Sequence, residues 1–248
     1  MISKNKIKYI SSLQNKKFRQ KYNKFIIEGH KTVFDIINSD YTVEEIFISS
    51  VDKYSSLLKE YNLEFIEVSN EEMKKISLLK SPSDILAIVN IRENNEEIIL
   101  QNDITLCLAD IQDPGNLGTI IRTANWFGIK NIVCSQNTAD LYNPKTLQST
   151  MGAFANINIF YIDLEDFLKK QNITIYGTFL EGKNIYESKL KQNGIIVMGN
   201  EGNGIPKNIE KLISEKITIP NFAGESLKAE SLNVSISTGI ILSEFKRR

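Results

Sequence analysis

Three stretches rich in glycine and asparagine hold the residues whose types and spacing could do chemistry, and each follows an apolar run. In the first, Asp113-Pro114-Gly115-Asn116-Leu117-Gly118 leads into a helical pattern with Leu117, Ile120, Ile121, Ala124 and Phe127 on one stripe. Asn116 is placed to cap that helix, and Arg122 falls off the stripe one turn beyond Gly118 and Thr119. Helical side chains lean toward the amino end, so the guanidinium would reach back over Gly118, which has no side chain to block it. That would set a cation and free backbone amides around one pocket; a surface ion pair for Arg122 and a plain cap for Asn116 are the alternative. The second stretch is Gly199-Asn200-Glu201-Gly202-Asn203-Gly204-Ile205-Pro206. Its glycines let a ligand approach the backbone, and Glu201 is its one charge. The spacing is neither a dinucleotide fingerprint nor a P-loop, and a tight turn before a helix is the simpler account. The third runs from Ile219-Pro220-Asn221-Phe222-Ala223-Gly224 to Glu230-Ser231-Leu232-Asn233-Val234-Ser235. Asn233 or Ser231 would cap the last helix, and Ser231, Asn233 and Ser235 together exceed what a cap needs.

Other chemistries are excluded by composition. His30 is the one histidine, which removes Ser-His-Asp and Cys-His catalysis and multi-histidine metal sites, so no metal is expected. It reads as a surface residue opening a helix. Trp126, on the amphipathic helix of the first stretch, reads as a packing residue, with a dimer contact as the other option. Cys107 and Cys134 lie in apolar runs and read as buried small hydrophobes. No stretch approaches the roughly 18 apolar residues of a membrane span, and no signal-like run follows the first residues, so a cytoplasmic protein is expected.

The 30 Lys and Arg balance the 30 Asp and Glu, yet the charges are unevenly placed. Residues 1–24 hold Lys4, Lys6, Lys8, Lys16, Lys17, Arg19, Lys21 and Lys24 and no acid. The rest of the chain therefore has 22 basic against 30 acidic side chains. A basic arm on an acidic body suits a polyanion, because neutralising phosphates releases condensed counterions. Tyr9, Phe18 and Tyr22 are interleaved and would stack on unpaired bases; inward packing in a solubilising helix is the alternative.

These residues need elements to position them. Residues 25–27, 45–48, 65–68 and 85–89 read as strands, with helical spacing over 31–38, 53–61 and 71–80. A polar, aperiodic stretch from Arg92 to Glu97 marks a boundary between domains at 1–92 and 98–248. In the second half, strands are expected at 104–111, 131–135, 173–180, 194–199 and 216–219. Helices are expected at 117–127, 144–153, 164–170, 206–213 and 233–246. Strands alternating with crossover helices give a mainly parallel sheet, which binds ligands at the carboxyl ends of its strands.

Taken together, the three stretches resemble the motifs of the SpoU (TrmH) family of RNA ribose 2′-O-methyltransferases. Asn116 to Gly128 is similar to the first motif, Gly199 to Gly204 to the second, and Ser231 to Ser235 to the third. Asn143-Pro144-Lys145 and Met151-Gly152-Ala153 also look like the family. Residues 10–15 and 25–29 are similar to the small substrate-binding domain found ahead of this catalytic domain. The resemblance implies a trefoil α/β knot, S-adenosylmethionine as methyl donor, and a homodimer whose interface completes each active site. It places the cofactor on the backbone at Thr178, Gly199, Ile219 and Leu232. Arg122 becomes the residue activating the 2′-hydroxyl, with Asn116, Glu201, Ser231 and Asn233 positioning the ribose. Lys4, Lys6, Lys8, Lys16, Lys17, Arg19 and Lys21 become RNA contacts. A guanidinium stays protonated at neutral pH, so Arg122 is expected to hold a phosphate and ease alkoxide formation more than to act as a base. One departure is visible: the stretch from Pro220 to Ser231, with Gly224 to Lys228, is longer than the usual motif. Ribosomal RNA is the expected substrate, with transfer RNA, a non-catalytic RNA-binding assembly factor and a nucleotide-binding oxidoreductase as rivals.

Overall fold

Ile104–Leu108 and Gly194–Met198 are buried along their whole length, as strands covered by helices on both faces must be. They lie at the centre of one of two sheets in a computed structural model that describes residues 2–92, 98, 100, 103–223 and 230–247. Much of the expected boundary at Arg92–Glu97, and residues 224–229 of the long loop, fall outside the described residues.

The chain forms two compact units, residues 1–93 with 140–155, and residues 94–139 with 156–248. Within the first, α1 (Lys4–Ser12) and α2 (Lys16–Tyr22) precede β1 (Lys24–Glu28), α3 (His30–Ile37), β2 (Val43–Ile48) and α4 (Val51–Glu60). Then come β3 (Ile66–Glu67), α5 (Asn70–Ile76) and β4 (Ile85–Asn90). The sheet order is β1-β4-β2-β3, with β4 antiparallel to both neighbours and β2 parallel to β3. The basic arm is not free. Its Ile10 and Leu13 are fully buried in the core with Phe47, Leu86 and Met73. α5 begins at a Ser69–Glu72 capping box and ends by Ile76, short of the expected residue 80, because Ser77 turns its hydroxyl to Glu28 at 2.5 Å. The segment 140–155 carries α7 (Pro144–Thr150), and the Tyr142 ring lies 4.6 Å from Phe25 of β1.

The second unit contains β5 (Ile104–Leu108), α6 (Pro114–Trp126), β6 (Asn131–Cys134), β7 (Asn158–Tyr161) and α8 (Leu164–Lys169). It continues through β8 (Ile175–Asn184), β9 (Gly194–Met198), α9 (Lys207–Glu210), β10 (Glu215–Thr218) and α10 (Val234–Lys246). The order is β10-β8-β9-β5-β6-β7, and every described pairing is parallel. From β5 the chain steps outward through β6 and β7, then returns to the other side. The order therefore reverses between β5 and β9, the place where an open parallel sheet forms its ligand crevice. β7 was not expected; Asn158–Tyr161 is four residues long, too short for its period to stand out in the sequence. α9 is shorter than expected at both ends: Pro206 caps it from outside, and beyond Glu210 the chain leaves in tight turns, with Leu212 N on Ile209 O at 3.0 Å and Ile213 N on Glu210 O at 3.1 Å. Cys107 and Cys134 are buried and burial pushes both thiols up, as small hydrophobes would behave. Among the described residues no helix is long and apolar enough to cross a membrane.

Candidate functional site

The loops leaving β5 and β9 face each other across the crevice. α6 starts at Pro114, and its cap is Asp113, whose Oδ1 accepts the Asn116 amide at 2.9 Å. Asn116 is therefore not the cap that its spacing suggested. The aspartate three residues earlier takes that role, which leaves the Asn116 carboxamide for longer-range bonds. Its Nδ2 donates to Glu201 Oε1, and its Oδ1 accepts from Asn233 Nδ2 at 3.0 Å. One side chain thus joins the loop after β5, the loop after β9 and the start of α10.

Asn233 does cap α10. Its Oδ1 accepts from the Ser235 amide at 3.0 Å, the Ser235 hydroxyl at 2.5 Å and the Ile236 amide at 3.4 Å. A carboxamide has separate donor and acceptor ends, so capping and the bond to Asn116 do not compete. The β9 loop closes on itself through Asn200 N to Gly204 O at 3.0 Å and the reverse bond at 2.8 Å. A Cβ on Gly199 would overlap the backbone of Gly204 and Ile205, and Gly204 has φ +66°, so the turn needs glycine at both ends. Glu201 is exposed at its tip, with Oε2 free of any partner among the described residues.

Arg122 is exposed on α6 and makes no ion pair or hydrogen bond among the described residues. Ser231 is exposed and makes no hydrogen bond there either; nothing ties it to the junction. Of the expected cofactor positions, Gly199 and Ile219 directly follow β9 and β10, and Leu232 is half-exposed ahead of α10. The Thr178 hydroxyl donates to Val197 O at 3.2 Å, so it is turned toward β9. The N–H and C=O of Gly199 and Leu232 are unpaired among the described residues, which fits a ligand held by main-chain bonds. No group of three metal-ligating side chains occurs among the described residues.

In the first unit, Lys4, Lys8, Lys16, Lys17 and Lys21 are exposed. Lys6 pairs with Glu45 at 2.5 Å, and Lys24 pairs with Glu44. Arg19 does not fit the role of an RNA contact. It is 3% exposed, donates to Leu13 O at 3.0 Å and Gln14 O at 2.7 Å, and pairs with Asp140 at 2.6 Å. The bend between α1 and α2 leaves the Leu13 and Gln14 carbonyls without helical partners, and the guanidinium satisfies both. The aromatics pack on each other: Tyr9 meets Tyr22 edge-on at 5.0 Å and Phe18 stacks on Tyr22 at 6.3 Å. His30 is exposed, 4.8 Å from Phe34. Trp126, read from sequence as a packing residue, is 85% exposed instead. Sequence reasoning also missed Asp113, although an aspartate just before Pro114 is a recognisable helix start.

Known proteins resemble this chain over both halves. The profile of the SpoU rRNA Methylase family matches residues 103–243, and that of the MRM3-like substrate binding domain matches residues 4–87. The chain is 31% identical over 241 residues to the 23S rRNA (guanosine(2553)-2′-O)-methyltransferase RlmP of Bacillus subtilis, covering 96% of this chain and 94% of that one. Among solved structures, a TrmH-family protein from Porphyromonas gingivalis superposes with TM-score 0.86 at 34% identity, covering 100% of this chain and 99% of that one. An AdoMet-bound rRNA methyltransferase from Sinorhizobium meliloti gives 0.87 at 29% identity, covering 100% and 96%.

Proposed function

This chain belongs to the SpoU rRNA methylase family and works as an S-adenosylmethionine-dependent RNA ribose 2′-O-methyltransferase; from that premise we propose that its substrate is 23S ribosomal RNA. The observation that carries the site assignment is the Asn116 carboxamide bonded to both Glu201 and Asn233. It fixes three loops around the place where a ribose would sit beside Arg122. S-adenosylmethionine, held by main-chain groups at Thr178, Gly199, Ile219 and Leu232, supplies an electrophilic methyl group.

The protein's own residues then have separable roles. Arg122, without a carboxylate partner among the described residues, takes the phosphate next to the acceptor ribose and stabilises charge developing on the 2′-oxygen. A guanidinium is a poor base, so the 2′-hydroxyl proton leaves to the neighbouring RNA phosphate while Arg122 offsets the charge left on the oxygen. Glu201 Oε2 and the carboxamides of Asn116 and Asn233 orient the ribose, and alignment of oxygen with methyl carbon lowers the barrier. Ser231 stands ready at the same loop. Lys4, Lys8, Lys16, Lys17 and Lys21 hold the RNA backbone from the first unit.

The reading extends to assembly and topology. A second copy of the chain covers Trp126 and Ile236, which are 85% and 56% exposed on α6 and α10, two helices packed on one another. The carboxy-terminal segment threads through a loop as a trefoil knot, and the dimer works in the cytoplasm. Mapping 2′-O-methyl groups in total RNA from cells with and without the protein tests the substrate. Loss of one ribosomal site is expected; loss at a transfer RNA position, or at none, overturns it.

A further inference from the structure

Asp110 occupies the left-handed backbone region with φ +59° just after β5. A non-glycine residue holds that conformation only where its surroundings fix it. Here Ser135, following β6, does so. Its hydroxyl accepts the Asp110 amide at 2.9 Å and donates to Asp110 Oδ1 at 2.6 Å. The Ser135 backbone amide is anchored on Leu108 O at 3.0 Å, and buried Thr138 lies 3.1 Å from the same hydroxyl while donating to Leu108 O at 3.2 Å. The consequence lies on the other side of the crevice. The Asp110 carbonyl accepts Asn200 Nδ2 at 2.8 Å. The Asn200 Oδ1 accepts the amides of Gly202 at 2.9 Å and Asn203 at 3.1 Å, which shapes the turn that carries Glu201.

We propose that Asp110 and Asn200 are positioning residues for methyl transfer: the left-handed turn presents a main-chain carbonyl that staples the β9 loop in register with the β5 loop. Neither residue touches the ribose. Their effect passes through Glu201, and from it to Asn116 and Asn233. The two ends of the Asn200 carboxamide do different jobs, one within its own loop and one between loops. This inference rests on the methyl-transfer reading above.

The two jobs can be separated. Asn200→Asp keeps an oxygen for the two amides but replaces the donor with an acceptor facing the Asp110 carbonyl. The turn survives and the staple does not, whereas Asn200→Ala loses both. Asp110→Asn keeps tolerance of the left-handed region and an acceptor for Ser135, and Asp110→Ala keeps neither. With unmodified 23S RNA and S-adenosylmethionine, Asn200→Asp is expected to lower kcat about 30- to 100-fold, as a small misplacement of the acceptor would. Its cofactor Kd by calorimetry should stay within about threefold of wild type, with Tm preserved. Asp110→Asn should turn over near the wild-type rate while Asp110→Ala follows Asn200→Asp. Wild-type kcat in Asn200→Asp, or equal slowing in both Asp110 variants, overturns the staple. So does a fall in kcat that only follows loss of folded protein by circular dichroism. A wild-type protein that leaves this RNA unmethylated while wild type and variants bind cofactor alike overturns the 23S substrate reading instead, and the same variants are then compared on the RNA that the wild type does methylate.

Discussion

The helical arm of residues 4–22 and the loop junction of Asn116, Glu201 and Asn233 both stand out in the sequence by their polar residues, yet the fold uses them in opposite ways. At the junction, side chains 85 and 117 positions apart come within hydrogen-bonding distance, and each keeps capacity facing outward. In the arm, the side chain best suited to a phosphate, Arg19, is turned inward, and Lys6 is paired with Glu45. Composition marks where charge is abundant. Only packing decides whether a charge is left for a partner or holds the fold.

The largest expected effect lies at the junction. Arg122→Ala should leave a folded protein that binds S-adenosylmethionine yet has lost about 10³ in kcat for methyl transfer, the range for removing a donor aimed at developing charge. Arg122→Lys should recover part of it, because the charge remains while the planar fork is lost. Single-turnover assays with tritiated cofactor measure both. Turnover near wild type in Arg122→Ala would remove the junction from the chemistry and erase the contrast with the arm.

Next comes Arg19, where the arm should respond as structure. Arg19→Ala leaves Asp140 and two carbonyls without their donor, and breaking such a pair costs about 3 kcal/mol. The melting temperature should fall by roughly 6 °C or more. A variant that melts like wild type but binds RNA weakly would return Arg19 to the RNA-contact set. The exposed lysines should do the reverse. Replacing Lys16, Lys17 and Lys21 together with alanine should leave Tm almost unchanged and weaken RNA binding about tenfold, with a shallower salt dependence. Filter binding from low to moderate salt measures this, and an unchanged slope would mean that α2 meets no phosphate.

How much of this was legible follows from the same contrast. The parallel sheet, its central strands and the loop order could be read because continuous apolar runs and glycine-bearing turns are local signals. That Asn233 caps α10 was legible too. What one sequence does not carry is the identity of partners far along the chain. Asn116 has cap chemistry at cap spacing, and only Asp113 taking the amide reveals that its carboxamide is left for Glu201 and Asn233. Arg19 is the one arginine among the eight basic residues of 1–24, and no local signal tells that its helix turns it inward. β7 is only four residues long, too short for its period to stand out. Trp126 reads as packing because it is a large apolar side chain on an amphipathic helix, but the apolar stripe of α6 is filled by Leu117, Ile120, Ile121 and Ala124 without it.

The smallest effect concerns Glu28 and sharpens the claim that ionisable groups buried in the first unit serve its fold. Glu28 Oε2 accepts from Ser77 Oγ at 2.5 Å and Oε1 from the Leu78 amide at 2.7 Å. Burial pushes its carboxyl above the usual range despite those bonds, because desolvation of the charge outweighs them. A carboxyl raised in the folded state binds its proton more tightly there than in the unfolded chain, so stability declines as pH rises from the ordinary carboxylate value through the raised one. Asp84 has the opposite sign: burial works to raise it, but hydrogen bonds from Lys53 and Tyr54 hold it low, and its contribution is lost as pH falls through its folded value. Glu28→Gln keeps an acceptor for the Leu78 amide and removes the titration. The Tm of wild type relative to Glu28→Gln should therefore improve as pH is lowered from 8 to 5, by less than the effects above. A difference that does not change with pH, or that changes in the other direction, would show that the Glu28 charge is accommodated at no cost, and that the turn at Ser77 is held by something else.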